Sequence, residues 1–573
     1  MLAALALLGG GLYPPANFDG LAYRTPRVLN WLAAERWVWV PDFRGWLNTR
    51  ACAFEWVTAP VLLFCRTDRP IFLINLISFL LLPGLAFGLL ARCGLRARAA
   101  WHWMWLLPSG YCFLLQSGSI GNDLFGAVFA LAAVDFALRA RVSGRPADAM
   151  YSVLAAALMT GSKVSNLVLL LPWVIAMLPG WRLFLRHKAL TWGTAALSAW
   201  CSYLPTAWNN HRHGGDWSAQ SIESAFQHPP NMPIYFARTA VLLTTQNFTP
   251  PVWPWAEATE RFVQRALPTS FKNWLAREQT SPTWSHFAFR ELAGEEEAGW
   301  GFGLSMLVLV SVLGPGRRTA LARLHAPGPA AERWWRAVLL LAPFGSLAVF
   351  MGKAALTTAA RTIAPFYGLL LPALLFASGI ETQVRKRWWR GLAVFVFASA
   401  AVAVILIPER PLWPAQTVLA GLSERFHSPA LARAATVYRT YRDRSTVLAP
   451  LVRELPPTER VVGLLGITEP ETTLWRPFGA RRVVHVLAGT SPTTLRNLGI
   501  TYVVANAGTA ESVLQRPLPA WLEEFHGSVV TNISLRVFAS GPPDAYAVIK
   551  LHAPAATASE AQPGTPGRGS DFF

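Results

Sequence analysis

PIFLINLISFLLLPGLAFGLLA, residues Pro70–Ala91, carries no charge along its whole length and is followed by Arg92. A helix that crosses the hydrocarbon core of a bilayer needs about 20 mostly apolar residues, so this run reads as a membrane span. Similar apolar runs recur at Ala99–Gln116, Ile120–Leu138, Ala149–Ser162, Val164–Pro179, Ala189–Asn209, Ala298–Gly314, Trp334–Gly352, Thr362–Ile380 and Gly391–Pro408. Ala149–Ser162 and Val164–Pro179 are short and flank Lys163. Together they are too long for one ordinary span, which predicts a tight helical hairpin. At the N-terminus Leu2–Tyr13 is apolar but too short to cross. It has neither a basic leader nor a clear cleavage site, and reads as the outer end of a first helix whose beginning is missing.

Composition agrees. The chain of 573 residues is 53% hydrophobic and only 14% charged, against about 25% in soluble proteins. The charge deficit lies in the first 408 residues, and the remainder reads like soluble sequence. The expected architecture is mainly α: a polytopic transmembrane helical bundle of about 11 spans, the first truncated, with a C-terminal extracytoplasmic α/β domain. The expected domains are 1–408, with outer loops 14–68 and 211–297, then 409–553, then a disordered tail at 554–573 rich in Ala, Pro, Gly, Ser and Thr. Within the second domain the sequence predicts a helix over Ala430–Leu455, strands at Arg460–Leu465, Arg482–Leu487 and Thr501–Ala505, and a helix near Thr493–Leu498.

Orientation follows from basic residues in short loops. One set of loops holds Arg92, Arg96 and Arg98; Arg139, Arg141 and Arg145; Arg182, Arg186 and Lys188; Arg317, Arg318, Arg323, Arg333 and Arg336; and Arg385, Lys386, Arg387 and Arg390. The opposite short loops hold Lys163, Lys353 and Arg361. The first set is expected in the cytoplasm, which puts the C-terminal domain outside. Trp334–Trp335, Trp388–Trp389 and the Trp101, Trp103, Trp105 series fit interfacial belts beside those arginines. The net charge of +19 is thereby spread over loops rather than gathered into a nucleic-acid-binding stripe. The five cysteines form no ligand-spaced cluster, though Cys52 and Cys65 share one outer loop and leave a disulfide open.

The sequence lacks a Walker loop, a GxGxxG after a strand, an HExxH and a GxSxG. What remains is a set of polar residues on the outer side. Asp19 lies just past the first apolar run, ahead of an amphipathic stretch, Val28–Val40, that is expected to lie flat on the outer leaflet. Asp123 sits at another outer helix boundary, in Gln116-Ser117-Gly118-Ser119-Ile120-Gly121-Asn122-Asp123-Leu124. Either could be no more than a helix cap. Glu55 precedes the apolar Trp56–Phe64, and His211, His213 and Asp216 form a short polar group in the large outer loop.

The run Asp19-Gly20-Leu21-Ala22-Tyr23-Arg24-Thr25-Pro26-Arg27-Val28-Leu29-Asn30-Trp31 resembles the first outer loop of bacterial C-superfold glycosyltransferases. These are polyprenyl-phosphate-sugar-dependent membrane enzymes related to protein O-mannosyltransferases and lipid A aminoarabinose transferases. Asp19, Leu21, Tyr23, Pro26, Arg27, Val28 and Trp31 match the pattern of one branch, whereas Arg24 replaces a histidine. Asn122-Asp123-Leu124 resembles a second motif. Lys163 resembles the lysine of a Thr-Lys turn, with Gly161 and Ser162 intervening after Thr160. Arg361 resembles an arginine before a late span, with Thr362 in place of the usual tyrosine.

The resemblance implies transfer of a sugar from a polyprenyl-phosphate donor to an extracytoplasmic glycan, lipid or protein in a bacterial inner membrane. No nucleic acid partner is expected. A carboxylate would accept the acceptor's proton, and fixed cations would stabilise the leaving phosphate. The expected catalytic residues are Asp19, as general base, and Asp123. Lys163, Arg361, Arg27, Tyr23, Glu55 and Lys353 are the expected substrate-binding residues. A divalent cation is a candidate cofactor, held in part by Asp123 or by the His211 group. The competing readings are a transporter or flippase of lipid-linked glycans, and a non-catalytic assembly protein on the same scaffold.

Overall fold

In the computed structural model the uncharged run that begins at Pro70 is helical from Phe72 to Arg92. The structure describes residues 1–219, 221–222, 232–248, 256–276, 294–313, 330–353, 358–376, 380–539 and 541–552. The helices used below are α1 (Leu2–Leu12), α2 (Thr25–Ala33), α3 (Ala53–Cys65), α4 (Phe72–Arg92), α5 (Asp123–Ser143), α6 (Pro146–Ser162), α7 (Ala330–Lys353), α8 (Ala364–Phe376) and α9 (Arg387–Leu406). Three stretches among the described residues are long and apolar enough to cross a membrane: Arg69–Arg92, Ala330–Lys353 and Arg387–Leu406. Their outward faces are apolar as well. Leu73, Ile77, Leu80 and Leu81 of α4 are exposed, as are Leu341 of α7 and Val394 and Phe395 of α9. In water such faces would be a liability, but against lipid tails they are at home.

Several expected spans are not single helices. Ala99–Gln116 breaks into α-helix at Ala97–Leu106 and Tyr111–Leu114, joined by a 3₁₀ turn at Leu107–Ser109. Pro108 and Gly110 sit at that break. Val164–Pro179 contains 3₁₀ turns at both ends, and Ala189–Asn209 divides into Lys188–Cys201 and Leu204–Gly214, with Pro205 opening the second piece. The number of crossings therefore rests on apolar runs rather than on uninterrupted helices.

One buried core, with Leu82, Trp103, Phe113, Leu131, Phe366, Leu371 and Trp389, joins these pieces. Helix α5 runs through it and has a charged group at each end. At about 1.5 Å per residue its 21 residues span roughly the hydrocarbon thickness of a bilayer. Near the end carrying Ser143, ion pairs Arg92–Asp135, Arg139–Asp148, Arg96–Glu381 and Arg141–Glu332 tie the basic loops together. The opposite end begins at Asp123. Arg317, Arg318, Arg323 and the tail 554–573 lie outside the described residues.

The stretch Val28–Val40 departs from expectation. Only Thr25–Ala33 is helical there, and Val28, Leu29 and Trp31 are buried. Trp31 stacks on Trp56 at 5.2 Å, and Leu29 belongs to the core of the C-terminal domain. The apolar face of α2 is thus covered by protein rather than by the leaflet. Cys52 is buried, Cys65 is exposed and both are free, so the open disulfide is not formed.

The C-terminal domain has helices α10 (Pro429–Asp443) and α11 (Ala449–Arg453) and strands β1 (Val461–Leu465), β2 (Arg482–His485), β3 (Tyr502–Asn506), β4 (Gly527–Leu535) and β5 (Asp544–Leu551). The helix expected over Ala430–Leu455 is broken at Arg444–Thr446. The sheet order is β2-β1-β3-β5-β4, with β1 parallel to β2 and β3, and β5 antiparallel to β3 and β4. The β4–β5 pair was not anticipated, because β4 is an edge strand with mostly exposed residues and a bulge between Val529 and Thr531. The domain packs directly on the loop between α1 and α4. Thr472 donates to the Leu21 carbonyl, Arg444 donates to the Ala16 carbonyl at 3.0 Å, Arg476 pairs with Asp68, and Phe538 packs on Phe18.

Candidate active site

Asp19 precedes a π-helical turn, Gly20–Arg24, that leads into α2. Gly20 is needed there because a Cβ would fall 2.3 Å from the Ile120 side chain. The Asp19 turn therefore lies flat against the turn that delivers Asp123. Asp123 opens α5, where its negative charge suits the helix N-terminus. Gln116 accepts from the Leu124 backbone N–H at 3.0 Å and donates to Asp123 Oδ2 at 3.2 Å. Lys163 follows the last residue of α6, with extended backbone. A Cβ on Gly126 would lie 2.7 Å from Ser162 Oγ, so the glycine lets α5 and the α6 end close up and brings Lys163 over Asp123. Arg361 lies in a short helix, Ala359–Thr362, just before α8.

Four charges meet there. Arg361 Nη2 donates to Asp19 Oδ2 at 3.1 Å, while its Nε faces Asp123 Oδ2 at 3.4 Å. Lys163 Nζ donates to Asp123 Oδ1 at 2.7 Å and lies 3.4 Å from Thr362 Oγ1. Asp19 makes no side-chain cap bond, and both carboxylates are engaged by cations. Exposure divides the group: the side chains of Asp123 and Arg361 are 3% and 9% exposed, those of Lys163 and Asp19 21% and 29%. Asp19 and Lys163 are the most open members, and Arg361 keeps a narrower exposed edge between them. Burial would raise the Asp19 carboxyl, but Arg361, Arg24 and Lys163 outweigh it and hold it below the usual carboxylate range.

The remaining candidates fall elsewhere. Glu55 is fully buried and faces Arg24 and Arg27 at 3.6 Å each. Arg27 is buried as well and donates to the carbonyls of Trp46, Arg50 and Ala51. Both brace the Asp19 loop from inside. Tyr23 is buried and accepts from Arg24 Nη2 at 3.1 Å. Lys353 is exposed at the end of α7 and joins no ion pair with the cluster among the described residues. His213 stacks on Trp39. Among the described residues no three His, Cys, Asp or Glu side chains are grouped to hold a metal. Both Asp123 oxygens face Lys163, Arg361 or Gln116.

A second charged layer was missed at the level of sequence. Glu295, fully buried, accepts from Asn17 Nδ2 at 2.6 Å and Ser119 Oγ at 2.8 Å, and pairs with Arg410 at 2.8 Å. Asn17 in turn accepts from the Gly20 N–H at 2.9 Å. One carboxylate thus ties the Asp19 turn to the Asp123 turn. Glu409 lies beside it, and burial together with the Glu295 charge pushes its carboxyl up. The run Glu295-Glu296-Glu297 before an apolar stretch, and Glu409-Arg410 just after the last one, were the available signals. Glu295→Ala breaks the buried pair with Arg410, which keeps the Leu115 carbonyl, and is expected to cost about 3–5 kcal/mol. Thermal unfolding of the purified variant checks this, and an unchanged midpoint would show that the pair holds nothing.

No protein-family model and no curated protein matches the sequence. Among solved structures the chain is similar to ArnT from Cupriavidus metallidurans bound to undecaprenyl phosphate, at 12% identity over 98% of each chain and a TM-score of 0.47. The apo state of that ArnT gives 14% identity over 96% of this chain and 97% of that one, with a TM-score of 0.48. The apo oligosaccharyltransferase of Archaeoglobus fulgidus gives 12% identity over 92% of this chain and 72% of that one, with a TM-score of 0.46.

Proposed function

We propose that the chain is an integral membrane glycosyltransferase that moves a sugar from a polyprenyl-phosphate donor to an extracytoplasmic acceptor. The observation that carries this reading is Arg361, which bridges Asp19 and Asp123 with Lys163 alongside. Asp123 holds two cations in place from behind. Their free faces suit the phosphate of the lipid, whose charge grows as the bond to the sugar breaks. Asp19 is the base. While paired with Arg361 it is a weak one. When a phosphate draws on Arg361, that pairing loosens, the largest of the charges holding the carboxyl down is drawn off, and the carboxylate becomes more basic. The proton of the acceptor hydroxyl then has an acceptor as the oxygen attacks.

The experiment is to bind a short-chain polyprenyl phosphate to the purified protein and locate the phosphate. Density beside Lys163 and Arg361 is expected, and a phosphate elsewhere on the bundle would defeat the mechanism. The reading also needs the site and the C-terminal domain outside the cytoplasm. With the five native cysteines replaced, an impermeant thiol reagent on intact cells should label a cysteine placed at exposed Ser512 but none placed in the 385–390 loop. Labelling of that loop would invert the topology.

A further inference from the structure

We propose that the C-terminal domain carries a binding groove for an anionic glycan. Its use as an acceptor arm rests on the transferase reading; the binding itself does not. Helices α10 and α11 and the end of β4 wall a groove of about 770 Å³, within the size range of ligand pockets. Arg433, Arg439, Arg453 and Arg536 line it, and Asp443 is its one acid. Asp443 is already paired with Arg442 at 3.0 Å. Arg439, Arg453 and Arg536 are exposed. So many like charges around one concave surface repel each other and raise the local concentration of anions. Guanidinium forks match the planar oxygens of carboxylate and phosphate.

The rest of the lining favours sugar over other anions. Thr436, Arg439, Thr440 and Asp443 follow one face of α10 at helical spacing, which alternates hydroxyl and charge. Val447 and Leu535 supply an apolar floor for the faces of sugar rings. The groove is also fastened to the Asp19 loop. Val447 and Leu535 share a core with Leu29 of α2. Phe538, two residues past Arg536, lies 5.5 Å from the ring of Phe18, the neighbour of Asp19. A glycan held here sits on the part of the domain that touches the loop bearing Asp19.

The test is calorimetric titration of the full chain in detergent with a size-defined oligogalacturonate and with a neutral maltooligosaccharide of the same length. The charged sugar is expected to bind, more weakly as salt rises, and the neutral one is not. Arg439→Ser combined with Arg453→Ser should weaken binding about tenfold, as expected for two exposed charge pairs, with an unchanged melting temperature. Asp19→Asn should bind like the parent, so binding survives even if no sugar transfer is ever found. Equal binding of the two sugars, absence of binding by both, or parental affinity in the double variant overturns the proposal. Displacement of the sugar by phosphatidylglycerol nanodiscs, or by polyglutamate at equal charge, would assign the groove to a lipid surface or an acidic peptide and overturn it too.

Discussion

Asp19→Asn lowers the rate of sugar transfer from a polyprenyl-phosphate donor by about 10²–10⁴ and leaves binding of that lipid intact. Asparagine keeps the size and polarity of aspartate and removes its basicity. The fold has little reason to notice. Asp19 makes no side-chain cap bond, and Asn caps about as well as Asp in any case. Arg361 retains Asp123, so the phosphate still meets two anchored cations. The measurement is transfer by the purified variant beside its thermal stability. Near-normal transfer removes Asp19 from the mechanism, and a collapse of stability with activity would make it a structural residue.

Arg361→Lys should reduce transfer by about 10²–10³, the scale of losing one charge-stabilising donor at a reacting centre. The guanidinium reaches Asp19 through Nη2 and Asp123 through Nε at once. A single ammonium on a flexible stem cannot reproduce that fork. Charge is retained, so neither Asp19 nor Asp123 is left without a cation and the protein should fold. Loss of donor affinity is expected along with the rate, since the phosphate loses a planar partner. Lys163→Ala should weaken donor binding but also uncovers Asp123, which makes it the less clean variant. Parental kcat and KM in Arg361→Lys would sink the bridging role.

The apolar runs at α4, α7 and α9 are legible because lipid imposes one simple demand, length without charge. Where a span is broken, as at Leu107–Ser109, apolarity still marks the burial but not the backbone path. The four charges of the candidate site stood out for a similar reason: they are polar groups at outer boundaries of apolar runs. Their contacts were not legible. Asp19 and Arg361 are 342 residues apart, and nothing local joins them. Glu55 and Arg27 carry the same local signature, yet they face each other inside the loop. A charge beside an apolar run looks the same whether its partner is a substrate or a neighbour. Glu295 escaped notice because an acidic run reads as solvated until Arg410, Asn17 and Ser119 close around it.

The contact between Thr472 and Leu21 has a consequence for how the chain is made. The two residues are 451 positions apart. At ribosomal rates of roughly 5–20 residues per second, the Asp19 loop emerges roughly 20–90 seconds before the surface that covers it. Leu29 and Phe18 have no partner from the C-terminal domain during that interval, and the turn bearing Asp19 must persist as an open, apolar segment at the membrane surface. Biogenesis of this protein is then the slow completion of a clasp whose first half is translated early and whose second half arrives last. A nascent chain stalled before the C-terminal domain should leave the first loop open to proteases that the finished protein resists.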